Sequence, residues 1–83
     1  MSGKTEQIIP GIYRHYKGQR YEVLGEGIHT ETGELGVFYR AFENHPEGKH
    51  SKGDFFFRPR EMFLEDVVLD GKTVPKFRLV IKK

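Results

Sequence analysis

The sequence predicts a small all-β domain: an SH3-like barrel of five or six short antiparallel strands with one short helical turn before the last hairpin. Three observations carry this expectation. Ten Gly and four Pro interrupt the 83 residues at intervals of about ten positions, and no segment keeps apolar residues at spacings of three and four over three helical turns. Short runs such as Leu35 to Phe42 instead alternate in the two-residue period of a strand. Asp70-Gly71 stands between two apolar runs, a strong short-range signal for a tight hairpin. A barrel is favoured over a flat sheet because closure hides strand edges that so short a chain has little else to cover with. An open sheet that dimerises through an aromatic face is the second choice.

Residues 1–9 read as a tail that frays, and residues 10–83 as one domain. Pro10-Gly11 opens a first strand, about Ile12 to Tyr16, in which aromatic and cationic side chains alternate, and Lys17-Gly18-Gln19 turns the chain. The second strand, about Arg20 to Thr30, carries Gly25 and Gly27 on the parity of Tyr21 and Val23. Glycines inside a strand signal a bulge, a bend or close backbone approach. Glu31-Thr32-Gly33-Glu34 turns into a third strand, Leu35 to Phe42, with Val37, Tyr39 and Ala41 on one face and Phe38, Arg40 and Phe42 on the other. Residues 43–54 have a composition that cannot bury a core and are expected to stay a mobile loop. Phe55 to Arg58 forms a fourth strand ending at Pro59, which starts the helical turn Arg60 to Phe63. Val67 to Leu69 and Thr73 to Ile81 are then the arms of the final hairpin.

Composition narrows the function classes. A chain of 83 residues without Cys has neither disulfide nor thiolate metal site to supplement a modest core; the missing Cys also fits a cytoplasmic setting. No apolar run reaches the ~18–20 residues that span a bilayer, and the N-terminus lacks the apolar stretch of a secretion signal, so no membrane partner is expected. A formal charge of +2 is too small to make nucleic acid the default partner, and any basic patch has to be local.

Several spaced blocks occur together: Pro10 to Gly18, Tyr21 to Gly25, His29 with Glu31, Tyr39-Arg40-Ala41, Arg58-Pro59 with Glu61-Met62-Phe63, and Val74 to Arg78. In this order they resemble a bacterial family known as domain of unknown function 1653, over nearly all of residues 10 to 80. The resemblance implies the SH3-like barrel and brings no established reaction. The chain departs from the family in two places: the long loop 43–54 replaces a short turn, and Phe56 stands where the family carries a tryptophan.

The polar set Arg14, His15, His29, Glu31, Arg40, Arg58 and Glu61 falls on strands or strand ends that a barrel could gather at one rim. Arg offers forked hydrogen bonds to an acid, and His exchanges a proton near neutral pH. The competing reading is that Arg58 and Glu61 merely pair with each other and that His15 packs or binds backbone. Hydroxyl residues lie in the tail or at turns and strand ends with no nucleophile motif around them. The four histidines lack the close paired spacing of a zinc site; neither metal nor cofactor is expected. Phe38, Phe42, Phe55 and Phe57 fall on the parity opposite the expected core, so some reach a surface. The expected function is a non-catalytic binding or adaptor module whose aromatic and cationic surface takes a protein partner, a second copy or an acidic group. Its candidate residues are Tyr13, Arg14, His15, His29, Tyr39, Arg58, Met62 and Phe63. The alternatives are an anion pocket with His/Glu acid-base chemistry and a surface for single-stranded nucleic acid.

Overall fold

The structure, a computed structural model, describes residues 8–83. Its strands are β1 (Gly11–His15), β2 (Arg20–Ile28), β3 (Leu35–Ala41), β4 (Phe55–Pro59), β5 (Asp66–Leu69), β6 (Lys72–Pro75) and β7 (Phe77–Lys82), with a single helical turn α1 (Arg60–Phe63) between β4 and β5. All pairings are antiparallel. Five strands form one sheet in the order β4-β3-β2-β1-β7, and β5 pairs with β6 alone. The expected all-β fold is therefore present, with its helical turn before the hairpin. The strand count is higher than expected because the last arm breaks at Lys76: its N–H donates to the Glu65 carbonyl and its carbonyl accepts from Tyr16 N–H, so this residue serves as a bend between β6 and β7.

Period-two alternation sorts the side chains. Tyr13, Tyr21, Val23, Val37, Tyr39, Ala41 and Phe77 point to the inner face and are joined there by Phe63 of α1 and by Ile8. Phe63 and Phe77 stack at 4.4 Å, Tyr13 meets Phe63 edge-on at 5.4 Å, and Tyr39 lies over Phe56 at 5.3 Å. Offset and edge-on ring contacts of this kind add about 0.5–1.5 kcal/mol each beyond the area they bury. The sheet is open in its hydrogen bonding but curls until its two edge strands face each other: the Arg58 guanidinium of β4 lies 5.5 Å over the Phe77 ring of β7. This seam makes the fold barrel-like.

Leu24 is bulged out between Val23, which pairs with Tyr39, and Gly25, which pairs with Phe38. The bulge reverses the parity of the second half of β2, so Gly25 and Gly27 face outward rather than with Tyr21 and Val23. A Cβ on Gly27 would enter the Phe38 ring, and one on Gly36 the Phe57 ring; the two phenylalanines lie across their glycines, 4.9 Å from each other. Phe38, Phe42 and Phe55 are exposed, as the alternation predicts. Asp70 and Gly71 both take positive φ, 52° and 78°, as a tight primed turn between β5 and β6 requires.

Two expectations concern loops and ends. Of the expected tail, residues 1–7 lie outside the described residues, whereas Ile8 is buried and the Ile9 carbonyl accepts a 2.7 Å hydrogen bond from Tyr13 Oη. Segment 43–54 was expected to add nothing to the interior. Its backbone is instead tied down by Ala41 N–H to Asp54 O, His45 N–H to His50 O and Lys52 N–H to Asn44 Oδ1, and it lays His50 against Tyr21 and Phe56.

Candidate functional site

The seam between β4 and β7 gathers the most chemistry. Arg58 projects inward because it pairs with Val37, one alternation beyond Phe56, which pairs with Tyr39. Its Nε donates to Tyr39 Oη at 3.1 Å and its planar group rests on Phe77. No carboxylate forms an ion pair with Arg58 among the described residues. The Glu65 carboxylate is committed to Lys76 Nζ at 2.7 Å, a hydrogen bond that chiefly holds its pKa below the usual carboxylate value, with the charge of Arg58 acting in the same direction. A half-buried guanidinium thus holds one hydrogen bond and one ring face, with its outer N–H groups uncommitted to any acid.

His15 ends β1 opposite Phe77, packing edge-on to that ring at 4.9 Å and against Tyr16 at 4.6 Å. Its Nδ1 accepts the Lys17 N–H at 3.2 Å. Burial first, and then the positive charges of Arg58, Lys17, Lys76 and His45, bring its pKa down to about 4. His15 is accordingly a neutral imidazole across pH 5–8. The expected proton exchange near neutrality is absent because the ring is buried and, secondly, because its surroundings are already cationic. Tyr21, pushed up chiefly by burial, and His50 complete the wall, with Tyr21 Oη and His50 Nε2 3.1 Å apart.

The remaining candidates are dispersed. Tyr13 and Phe63, expected at the surface, belong to the core, Tyr13 because its ring packs on Phe63 and its hydroxyl on the Ile9 carbonyl. Tyr39 is buried except for the service of its hydroxyl to Arg58. Met62 is exposed on α1. Arg14 pairs in register with Arg20 and Arg78 on the outer face, away from its neighbour His15. Arg40 is also outside, bound to Glu22 at 2.7 Å. His29 sits in the β2–β3 turn, where Nδ1 accepts the backbone N–H of Glu31, not its carboxylate.

His15, His29 and His45 share one local device: each Nδ1 accepts the N–H two residues ahead. An acceptor nitrogen must lack its proton, so each turn selects the Nε2–H tautomer. No group of three potential ligands for a metal ion occurs among the described residues, and no described helix is long and apolar enough to cross a membrane. Sequence reasoning missed Tyr21, His50, Phe77 and Lys76 as neighbours of Arg58 and His15. The parity of Tyr21 and Phe77 was legible, but their meeting with Arg58 depends on how far the sheet curls.

Comparison with known proteins places this architecture. The sequence profile of the family described as "Protein of unknown function (DUF1653)" matches residues 11–79. A crystal structure of a DUF1653 protein from Bordetella bronchiseptica is similar at a TM-score of 0.75 and 30% identity, covering 88% of this chain and 87% of that one. No curated protein matches. With the profile running from the start of β1 through the first half of β7 and a solved relative sharing the fold, this chain belongs to the DUF1653 family.

Proposed function

We propose that the protein is a non-catalytic binding module that takes an acidic group of a protein partner at the β4–β7 seam. The observation that carries this reading is Arg58: half-buried on aromatic walls, anchored through Nε to Tyr39, and without a carboxylate among the described residues. Removing a guanidinium from water costs free energy that an acid of fitting geometry repays, and Arg prefers a two-pronged contact with carboxylate. Phe77 is buried and serves only as the platform under the guanidinium, whereas the half-buried Phe56 of the same strand and the exposed Tyr16 packed on His15 offer ring area on this side, and aromatic residues and Arg are the groups that anchor interfaces. His15 stays neutral and adds shape and an Nε2–H donor rather than charge.

A direct test is an NMR titration with N-acetyl-leucine and, separately, its amide. The acid is expected to shift the Arg58 Nε–H and the amides of His15 and Phe77, with no dependence on pH between 5.5 and 8; the amide is expected to leave them in place. Arg58→Met should abolish the response while keeping the fold. Equal responses to acid and amide, or an unchanged response in Arg58→Met, would refute the assignment.

A further inference from the structure

Rows of residues in register across the outer face form a second surface, separate from the seam. Arg78 of β7 pairs with Arg14 of β1, Arg14 pairs with Arg20 of β2, and Phe42 follows Arg20 through its N–H bond to the Arg20 carbonyl. Three guanidiniums and a ring therefore stand side by side on neighbouring strands, a row of about 14 Å at ~4.8 Å per strand step. Like charges directly opposite each other destabilise a sheet. Arg20 is relieved by Glu43 at 2.8 Å and lies 5.1 Å over Phe42; Arg14 and Arg78 form no ion pair among the described residues. In the next row Ile81, Ile12, Glu22, Arg40 and Phe55 are in register. Glu22 is held there between Arg40 at 2.7 Å and Lys83 at 3.0 Å, so its charge is spent within the face.

We propose that this outer face binds single-stranded nucleic acid, with phosphates on Arg78 and Arg14, the two guanidiniums without an ion pair among the described residues, and bases stacked on Phe42 and Phe55. A cationic track bordered by exposed rings is the recurrent design for such strands, because every base has a stacking face while the backbone supplies the charge. A run of acidic side chains would satisfy the guanidiniums but offers no planar group to stack on Phe42 and Phe55, both exposed, whereas every nucleotide carries one beside its phosphate. The formal charge of +2 for the whole chain does not oppose the assignment, since five cations share this face with the Glu22 and Glu43 carboxylates.

Fluorescence anisotropy with a labelled thymidine oligonucleotide tests it. Contact with two or three phosphates predicts that affinity falls about tenfold between about 50 and about 200 mM salt. The double substitution Arg14→Gln with Arg78→Gln is expected to lose at least tenfold at low salt and to flatten the salt dependence. Phe42→Leu should lose several-fold with the salt dependence kept, and Arg58→Met should bind as the wild type, which separates this surface from the seam. Urea midpoints of the exposed-site variants verify their folding, and Arg14→Lys with Arg78→Lys should retain most binding. Absence of binding at low salt, or wild-type binding by the Gln pair, overturns the proposal. So does equally tight binding of labelled polyglutamate with Phe42→Leu unaffected.

Discussion

Arg58 Nε donates to Tyr39 Oη at 3.1 Å from the opposite side of a strand pair, and by doing so fixes the guanidinium over Phe77 across the seam. One hydroxyl thus positions the group on which the proposed recognition depends. Tyr39→Phe keeps the ring in its stack with Phe56 and removes only that acceptor. It is expected to cost about 1 kcal/mol of stability, the net worth of one hydrogen bond, and to broaden the Arg58 Nε–H resonance. A urea titration and the side-chain spectrum read both effects. A sharp, unshifted Nε–H in Tyr39→Phe would mean that Phe77 alone holds the guanidinium.

Acid sensitivity follows from His15. Its pKa is about 4 in the fold against 6.5 for the free side chain, so below pH 6.5 the unfolded chain binds a proton that the folded chain refuses. Stability is full above that value and declines as pH falls towards 4. Allowing for solvent screening at a half-exposed ring, the loss is on the order of 1–2 kcal/mol. His15→Asn preserves an acceptor for the Lys17 N–H and should flatten stability between pH 6.5 and about 4.5. The paired Glu22, Glu43 and Glu65 carboxyls, all held below their ordinary 4.5 by hydrogen bonds from Lys or Arg, act at lower pH. Urea midpoints across pH 4–8 for both proteins decide the matter, and an undiminished slope in His15→Asn would assign it elsewhere.

Glycine positions separate backbone contact from ring contact. A Cβ on Gly11 would collide with the Ile81 carbonyl oxygen, which the β1–β7 ladder holds in place. A Cβ on Gly27 meets only the Phe38 ring, which is 41% exposed and can swing outward. Gly11→Ala is expected to cost about 2–3 kcal/mol and Gly27→Ala less than about 1, by the usual range for overpacking. Adding Phe38→Leu to Gly27→Ala should recover most of the smaller loss. Equal costs at the two sites in urea denaturation would show the Phe38 ring to be as fixed as the backbone.

Local signals were the legible part of this chain. The Asp70-Gly71 turn, the Pro59 boundary ahead of α1 and the outward Phe38, Phe42 and Phe55 all follow from residue chemistry within a few positions. The bulge at Leu24 was signalled by its flanking glycine, yet its consequence, reversed parity in the rest of β2, depends on the pairing with β3. Alternation places Arg14 and His15 on opposite faces, so their expected union on one patch required a twist that β1 does not make. The meeting of Arg58 with Phe77 joins residues of the two sheet edges and is set by curvature. Tyr13 and Phe63 looked available for contact because no short-range pattern says which strand residues an α1 ring will cover.

His50 tests what the long loop contributes. Its Nε2 meets Tyr21 Oη, its Nδ1 is buried without a partner, and its ring lies 5.0 Å from His45 and 5.1 Å from Phe56. Either neutral tautomer leaves the Nδ1 side unsatisfied, a cost of about 1–3 kcal/mol set against about 1 kcal/mol for the bond to Tyr21. His50→Phe removes the orphan nitrogen but leaves the part-buried Tyr21 hydroxyl without its partner, and it keeps a ring of similar outline; the two polar terms oppose each other, so stability should change by less than about 1 kcal/mol. His50→Ala removes the ring itself and should cost about 2 kcal/mol or more, since the space between Tyr21 and Phe56 is then unfilled. Urea denaturation of the two variants distinguishes the contributions. If His50→Phe proves as damaging as His50→Ala, the loop is held by its hydrogen bond to Tyr21 rather than by the packing of an imidazole against two rings.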